Sequence, residues 1–512
     1  MYRAYFILIV LFCSPLVSAK HSMQIIQAGV EKVDSTKIID FYYRHPDLKN
    51  YKTDLQLFYA KNNYQFIWYN SNGLTDFAGI LYNELQQLPM EGIFTPPPYK
   101  NEFDAIFTAD KRRADTDAEL LITSLYLYYV KKVQIGLDPE KSALTGWHLP
   151  RQQLHYAAYL DTLIKNPEAR SNDGRYLFSQ YYYLKKALAR YLDIQKRGGW
   201  QPITLPNGVQ QLKPGDSCST VLQVRKRLYT EGYLESDSGK TDFDAALLNS
   251  INKYKTLQNK AADSLITPAF IEELNITVEQ RIQCIAVNME RCRWIAPAIN
   301  NAKEFIAVNI PSFRLHYFRE GKPFFISKVV VGKEATKTTV FSGAISYIVF
   351  NPYWNIPNSI LNKEILPAVK KNGNYLAAHN MEWNGNKLRQ RPGPDNPLGL
   401  VKFIFPNSNN IYLHDTPSKN LFIKEERAFS HGCIRVEKAR EMALAIMEKE
   451  AGWTEEKTDK AMNAGKESVY YLKQKIPVYI GYFTAWADEQ GSVVFYEDIY
   501  NRDAALANLL YN

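Results

Sequence analysis

Residues 430–436 read Ser-His-Gly-Cys-Ile-Arg-Val, and residues 412–417 read Tyr-Leu-His-Asp-Thr-Pro. Gly432 lets another backbone approach Cys433 closely, and a helix is predicted over 437–450, directly after Val436. The field of that helix N-terminus, with Arg435 nearby, is expected to favour thiolate over thiol at Cys433. A free thiol has a pKa of ~8.5, so a nucleophile working at neutral pH needs such help or a histidine partner. His414 closes a strand predicted over 411–413 and can supply that partner across a sheet. His431 is two residues from Cys433, on the same face if the segment is extended.

Working outward, the chain from residue 304 onward has the period-2 apolar pattern of strands. Strands are predicted over 305–310, 314–318, 324–331 and 344–350, with a Glu320-Gly321 turn among them. A late hairpin is expected from 477–485 and 493–496 about Gln490-Gly491. This part reads as a β-rich domain with one helix inserted after the Cys433 segment. A zinc site from His414, His431 and Cys433 has no paired Cys-x-x-Cys or His-x-x-x-His element behind it, so no metal or cofactor is expected. A buried structural cysteine and a Cys/His acyl-transfer site both fit the residues alone.

Upstream, a Gly-Asp turn at Gly215-Asp216 is expected to cap a short helix, with Gly232 as a C-cap and Thr267-Pro268 closing the unit. Residues 212–275 therefore read as a compact three-helix module, and 276–298 as a connecting helix. Residues 20–200 have helical spacing, with Leu121, Leu125, Tyr128 and Tyr129 on one stripe and Tyr182, Leu184, Ala187 and Leu188 on another. Many of the 35 tyrosines fall here, and at helical spacing they read as core or groove lining rather than as a sugar-stacking surface.

The chain has 512 residues, enough for three or four folding units, with 46% hydrophobic and 22% charged residues. That composition argues against a fibrous or mainly disordered protein. The formal charge of +9 suits an anionic partner, but no dense basic block points to nucleic acid. Arg3, an apolar stretch ending at Cys13, Pro15 and the exit Val17-Ser18-Ala19 read as a cleaved signal peptide over 1–19. No later apolar run is long enough to span a bilayer, so the mature chain is expected in an oxidising compartment without a transmembrane helix. Four cysteines follow the signal: Cys218, Cys284, Cys292 and Cys433. Cys284 and Cys292, eight residues apart on a predicted helix, lie ~12 Å from each other and cannot pair.

The two chemistry-bearing segments together resemble the signature of the bacterial L,D-transpeptidases. Residues 288–291 (Asn-Met-Glu-Arg), 351–357 (Asn-Pro-Tyr-Trp-Asn-Ile-Pro) and 388–394 (Leu-Arg-Gln-Arg-Pro-Gly-Pro) resemble the large Gram-negative periplasmic members. The three-helix unit resembles a peptidoglycan-binding module, although Cys218-Ser219 and Leu257-Gln258 depart from its usual pattern. The resemblance implies an α+β multidomain chain: a helical scaffold over 20–200, that module, a catalytic domain over 304–482 with a capping segment over 351–393, and a C-terminal hairpin and tail over 483–512.

It further implies that Cys433 is the nucleophile and His414 its general base. Ser430, His431 and Gly432 would shape the nucleophile loop and oxyanion pocket. Arg435 would brace that loop or steer a substrate carboxylate, and Tyr353 and Trp354 would help bind substrate. Asp415 stays outside the catalytic set, because a backbone carbonyl often orients the histidine in this family. The implied reaction takes peptidoglycan tetrapeptide stems as donor and acceptor, releases terminal D-Ala through a thioester, and forms 3→3 cross-links. The implied enzyme is also a carbapenem target. Hydrolysis of the same acyl-enzyme, or a non-catalytic wall-binding role, are the alternatives in other classes. Protein partners are not indicated.

Overall fold

A computed structural model of the chain describes residues 32–108, 114–149, 151, 177–258 and 260–511. The expected signal segment lies outside them. Among the described residues, no helix is long and apolar enough to cross a membrane. The chain forms two compact units, one from the residues up to 81 with 99–124, the other from 82–98 with 125–512.

In the first unit, helices Lys37–Arg44 and Lys52–Lys61 bury Phe41, Leu55, Phe58 and Tyr59. Trp68 stacks on Phe77. The carboxylate of Glu119 is fully buried and accepts hydrogen bonds from the Ile67 and Trp68 N–H groups and the Tyr59 hydroxyl. Burial raises its pKa to about 7 against those hydrogen bonds.

The second unit is organised by a β-sheet whose strands are β1 (Glu304–Asn309), β2 (Arg314–Arg319), β3 (Lys322–Gly332), β4 (Phe341–Phe350), β5 (Val401–Ile404), β6 (Leu413–His414), β7 (Ala428–Ser430), β8 (Ile434–Val436) and β9 (Ser468–Gly481). Their order is β7-β3-β8-β6-β5-β4-β9-β1-β2, and β2 pairs again with β3, so the sheet closes on itself. Inward positions carry Val, Ile, Leu and Phe, among them Val329, Ile348, Phe403, Leu413 and Ile434, all fully buried. The alternation explains why these segments are legible as strands. The late hairpin differs from expectation: residues 477–481 belong to the long strand β9, and the turn joins Ala485–Ala487 to Val493–Phe495. The residues after it form a helix, Arg502–Tyr511.

Residues 20–200 do not behave as one body. Those from 125 onward belong to the second unit, where α1 (Ser179–Lys196) buries Tyr181, Leu184, Ala187 and Leu188 in the same core as the sheet. The expected connecting helix, α2 (Val278–Arg293), is likewise buried, and it begins with a capping box from Thr277 and Gln280. The 288–291 motif is the reason. Asn288 exchanges hydrogen bonds with Thr484 at 2.7 and 2.9 Å, and Arg291 pairs with Asp503 at 2.7 Å. Glu290 accepts from Leu137 N–H at 2.6 Å and Trp294 Nε1 at 2.9 Å, and pairs with Arg293 at 2.8 Å. Gly136 approaches this carboxylate so closely, at φ +73°, that a Cβ there would stand 2.0 Å from Glu290 Oε1. Gly136→Ala is therefore expected to lower stability by at least ~2 kcal/mol, through backbone strain plus overpacking, measured as a fall in denaturation midpoint.

The three-helix module has its own core, from Ile203 to Leu274. Asp244 and Thr267 cap its second and third helices. The first helix starts after Cys218 without a side-chain cap, and Asp216 instead accepts from Lys213 N–H. Gln258 is buried and accepts from Phe495 N–H at 2.8 Å, which ties the module to the late hairpin.

The 351–393 segment is a folded layer. Strands Trp354–Asn355, Lys387–Gln390 and Met381–Asn384 form a small sheet, and Ile356, Ile360, Ile365 and Leu388 form its core.

Candidate active site

β6 pairs in parallel with β8, Leu413 opposite Ile434 and His414 opposite Arg435. Ile434 N–H donates to Tyr412 O at 3.1 Å, so one step back along both chains brings Cys433 beside Tyr412. Side chains alternate along a strand, and paired positions share a face. With Leu413 and Ile434 buried in the core, Tyr412, His414, Cys433 and Arg435 fall together on the opposite face. β5 runs antiparallel on the other side of β6, and its Lys402 pairs with His414, joining the same face.

The environment sets the resting protonation. His414 is buried, and its Nδ1 lies 2.5 Å from the backbone carbonyl of Asp415. That contact makes Nδ1 the protonated nitrogen and leaves Nε2 as the basic one. Burial, then the positive charge of Arg435, pushes its pKa down to about 3. The Asp415 carboxylate is engaged elsewhere, by Leu400 N–H at 3.0 Å and Lys419 Nζ at 2.7 Å. Burial also raises the Cys433 thiol, against hydrogen bonding from Tyr412 and the charges of Arg435 and Lys402. The thiol donates to Asn410 O at 3.6 Å. The expected help from a helix N-terminus is missing: strand β8 intervenes and the helix begins only at Ala439. Both shifts favour the neutral forms, thiol and imidazole.

The 430–433 loop is held by its own side chains and by a neighbouring loop. Ser430 Oγ donates to Cys433 O at 2.6 Å and accepts from Gly432 N–H at 3.1 Å. Gly432 adopts φ +115°, a conformation that excludes other residues. Its N–H, expected in the oxyanion pocket, is committed to Ser430. Thr338 Oγ1 donates to Gly432 O, and Thr336 Oγ1 to Ser430 O, each at 2.9 Å. His431 is not on an extended segment; its exposed ring meets Glu364 of the capping segment at 3.2 Å.

Tyr353 and Trp354 sit at the root of that segment. Arg389 lies 4.0 Å over the Tyr353 ring, Tyr353 N–H donates to Glu467, and Trp354 packs on the cap's core. Among the described residues, no hydrogen bond joins either side chain to Cys433. Sequence reasoning missed Thr336, Thr338, Glu364 and Lys402. Only strand register and loop packing bring them to the site, although the alternation Val401-Lys402-Phe403 marks Lys402 as facing away from the core. Among the described residues, no group of His, Cys, Asp and Glu is arranged to hold a metal ion.

Residues 303–458 match the family described as L,D-transpeptidase catalytic domain, and residues 53–188 match the one described as scaffold domain. A curated Haemophilus influenzae protein named "Putative L,D-transpeptidase" is 38% identical over 260 residues, 46% of this chain and 51% of that protein. The chain thus spans about half the length of that relative. Among solved structures, an L,D-transpeptidase of Stackebrandtia nassauensis shares 12% identity over 55% of this chain and 96% of its own, with a TM-score of 0.23. One from Xylanimonas cellulosilytica shares 12% over 54% and 100%, with a TM-score of 0.19. Residues 303–458 are thus similar to L,D-transpeptidase catalytic domains.

Proposed function

We propose that the protein is a peptidoglycan L,D-transpeptidase that forms 3→3 cross-links through a thioester on Cys433. The observation that carries this is the single sheet face holding Tyr412, His414, Cys433 and Arg435, with the His414 ring fixed through Nδ1. His414 Nε2 takes the thiol proton as sulfur attacks the carbonyl between residue 3 and terminal D-Ala of a donor stem. The same proton passes to the departing D-Ala amine. Cys433 N–H stabilises the tetrahedral oxyanion, with Gly432 N–H holding the loop in place; losing one oxyanion donor costs ~10²–10³ in rate. The side-chain amine of residue 3 on a second stem then attacks the thioester, restoring the thiol. The capping segment shields the thioester from water.

The enzyme is exported by the 1–19 signal to the periplasm, where no ATP is available and the new amide must draw on an old one. The 212–275 module places it on the wall. Incubating the purified protein with tetrapeptide monomers is expected to release D-Ala and give 3→3 dimers by mass spectrometry. Release of D-Ala with tripeptide as the sole product would overturn transfer in favour of hydrolysis.

A further inference from the structure

On the nucleophile's face, two cations stand without an anion. Among the described residues, neither the Lys402 ammonium nor the Arg435 guanidinium makes a hydrogen bond or an ion pair, and Arg435 Nε is buried with no partner. Both side chains are half-buried. Glu467, the acidic group that bears on Lys402, spends its carboxylate on Tyr353 N–H at 2.8 Å. Burial lowers the pKa of both cations, so holding two such charges together costs stability that no contact within the protein returns. Unpaired, partly desolvated cations on one face form a receptor for an anion.

The register places them around the sulfur. Arg435 is two residues along β8 from Cys433, ~6.6 Å away along the strand. Lys402 stands two strands over, ~10 Å sideways, and its stem leads back so that Nζ is 6.0 Å from the Tyr412 ring beside Cys433. The scissile amide brings no charge to this place. A tetrapeptide donor does, because its C-terminal carboxylate lies one residue, ~3.5 Å, beyond the carbonyl under attack. We infer that Lys402 is a specificity residue which, together with Arg435, binds the C-terminal carboxylate of the donor stem and so selects stems ending one residue after the scissile bond. The inference rests on the proposed function for its substrate class. Arg435 presents a rigid fork and Lys402 a mobile point charge, so the pair can follow the carboxylate as the amine departs.

The test uses two peptides, a tetrapeptide ending in free D-Ala and the same peptide ending in D-alaninamide. Binding is measured calorimetrically to the full chain carrying Cys433→Ala, which cannot turn them over. The free acid is expected to bind about 10–100-fold more tightly than the amide, the range of a charge-assisted hydrogen bond. Adding Lys402→Met is expected to cut acid binding about 10-fold and leave amide binding within 2-fold, while Lys402→Arg keeps most of the discrimination. Equal binding of acid and amide, binding of neither, or a preference untouched by Lys402→Met overturns the inference.

A second measurement separates carboxylate binding from tuning of the thiol. With Cys433 intact, Lys402→Met should change the rate of alkylation by neutral iodoacetamide less than 3-fold. A much larger fall with the acid preference retained assigns Lys402 to the thiol and also overturns the inference. A chain that shows the Lys402-dependent preference yet releases no D-Ala would defeat the proposed reaction and leave the carboxylate site standing.

Discussion

Cys433→Ala is expected to abolish cross-linking, lowering turnover of tetrapeptide stems by at least ~10⁴-fold, the scale seen when a covalent nucleophile is removed from a concerted site. The change is close to isosteric for the fold. Cys433 is half-exposed, its sulfur contacts Asn410 O and hydrogen-bonds with Tyr412, and the loop is held through Ser430, Thr336 and Thr338. Stability should therefore move by less than ~1 kcal/mol, which a thermal melt can check. Two of the other three described cysteines cannot take over. Cys284 and Cys292 are held in α2, where burial drives both thiols far up, Cys284 to about 12. The same substitution supplies a mass test. A carbapenem presents a strained carbonyl to the nucleophile, so the wild-type chain should gain one adduct and the variant none. Wild-type turnover by a folded Cys433→Ala protein, or an equal adduct on it, would sink the assignment.

The pattern that made the site legible is local. Residues 430–436 place Cys433, Gly432 and Arg435 within one short segment, and the strands around it alternate because one face of the sheet is buried. What local pattern cannot carry is the company those residues keep. Lys402 reaches the site through the β5–β6 register, and Thr338 through a loop that folds over Gly432. The expected helix field at Cys433 failed for a similar reason. The apolar residues Ile434 and Val436 fill the core as strand β8, paired with Leu413 and Val329, and the helix begins only at Ala439, not at 437. Likewise the stripe of Tyr182, Leu184, Ala187 and Leu188 reads as scaffold core, although the helix buries Tyr181 and leaves Tyr182 half-buried. Periodicity says that a helix has an apolar face and not which partner covers it, and here the partner is α2.

His431 and Glu364 show a further consequence. The ring belongs to the nucleophile loop and the carboxylate to the capping segment, so their 3.2 Å contact is a tie between the nucleophile's backbone and its cover. Both side chains are exposed, and a pair of this kind contributes little to stability. Its value is positional. Shifting the loop moves Cys433 N–H relative to the carbonyl under attack, and oxyanion geometry is sensitive at that scale.

That division of labour gives the two histidines different pH signatures. His414 has its pKa pushed down to about 3, so between pH 5 and 8 it stays neutral and able to accept a proton. The Cys433 thiol is raised, so little thiolate is present without help. Attack through His414 should therefore make the alkylation rate of wild type nearly flat across pH 5–8, since neither group changes state there. His414→Ala removes the base, and turnover should fall by about 10²–10⁴-fold at pH 7. Its alkylation can proceed only through the thiolate, so the rate should climb roughly tenfold per pH unit toward the thiol's raised pKa and recover part of the loss in alkali. His431→Ala leaves the base in place, and its alkylation profile should keep the flat wild-type form while turnover drops at every pH. The measurement is the iodoacetamide rate of all three proteins from pH 5 to 10, beside their D-Ala release. An alkaline climb in His431→Ala together with a flat profile in His414→Ala would exchange the two roles, and a flat profile in all three would remove histidine from the proton transfer.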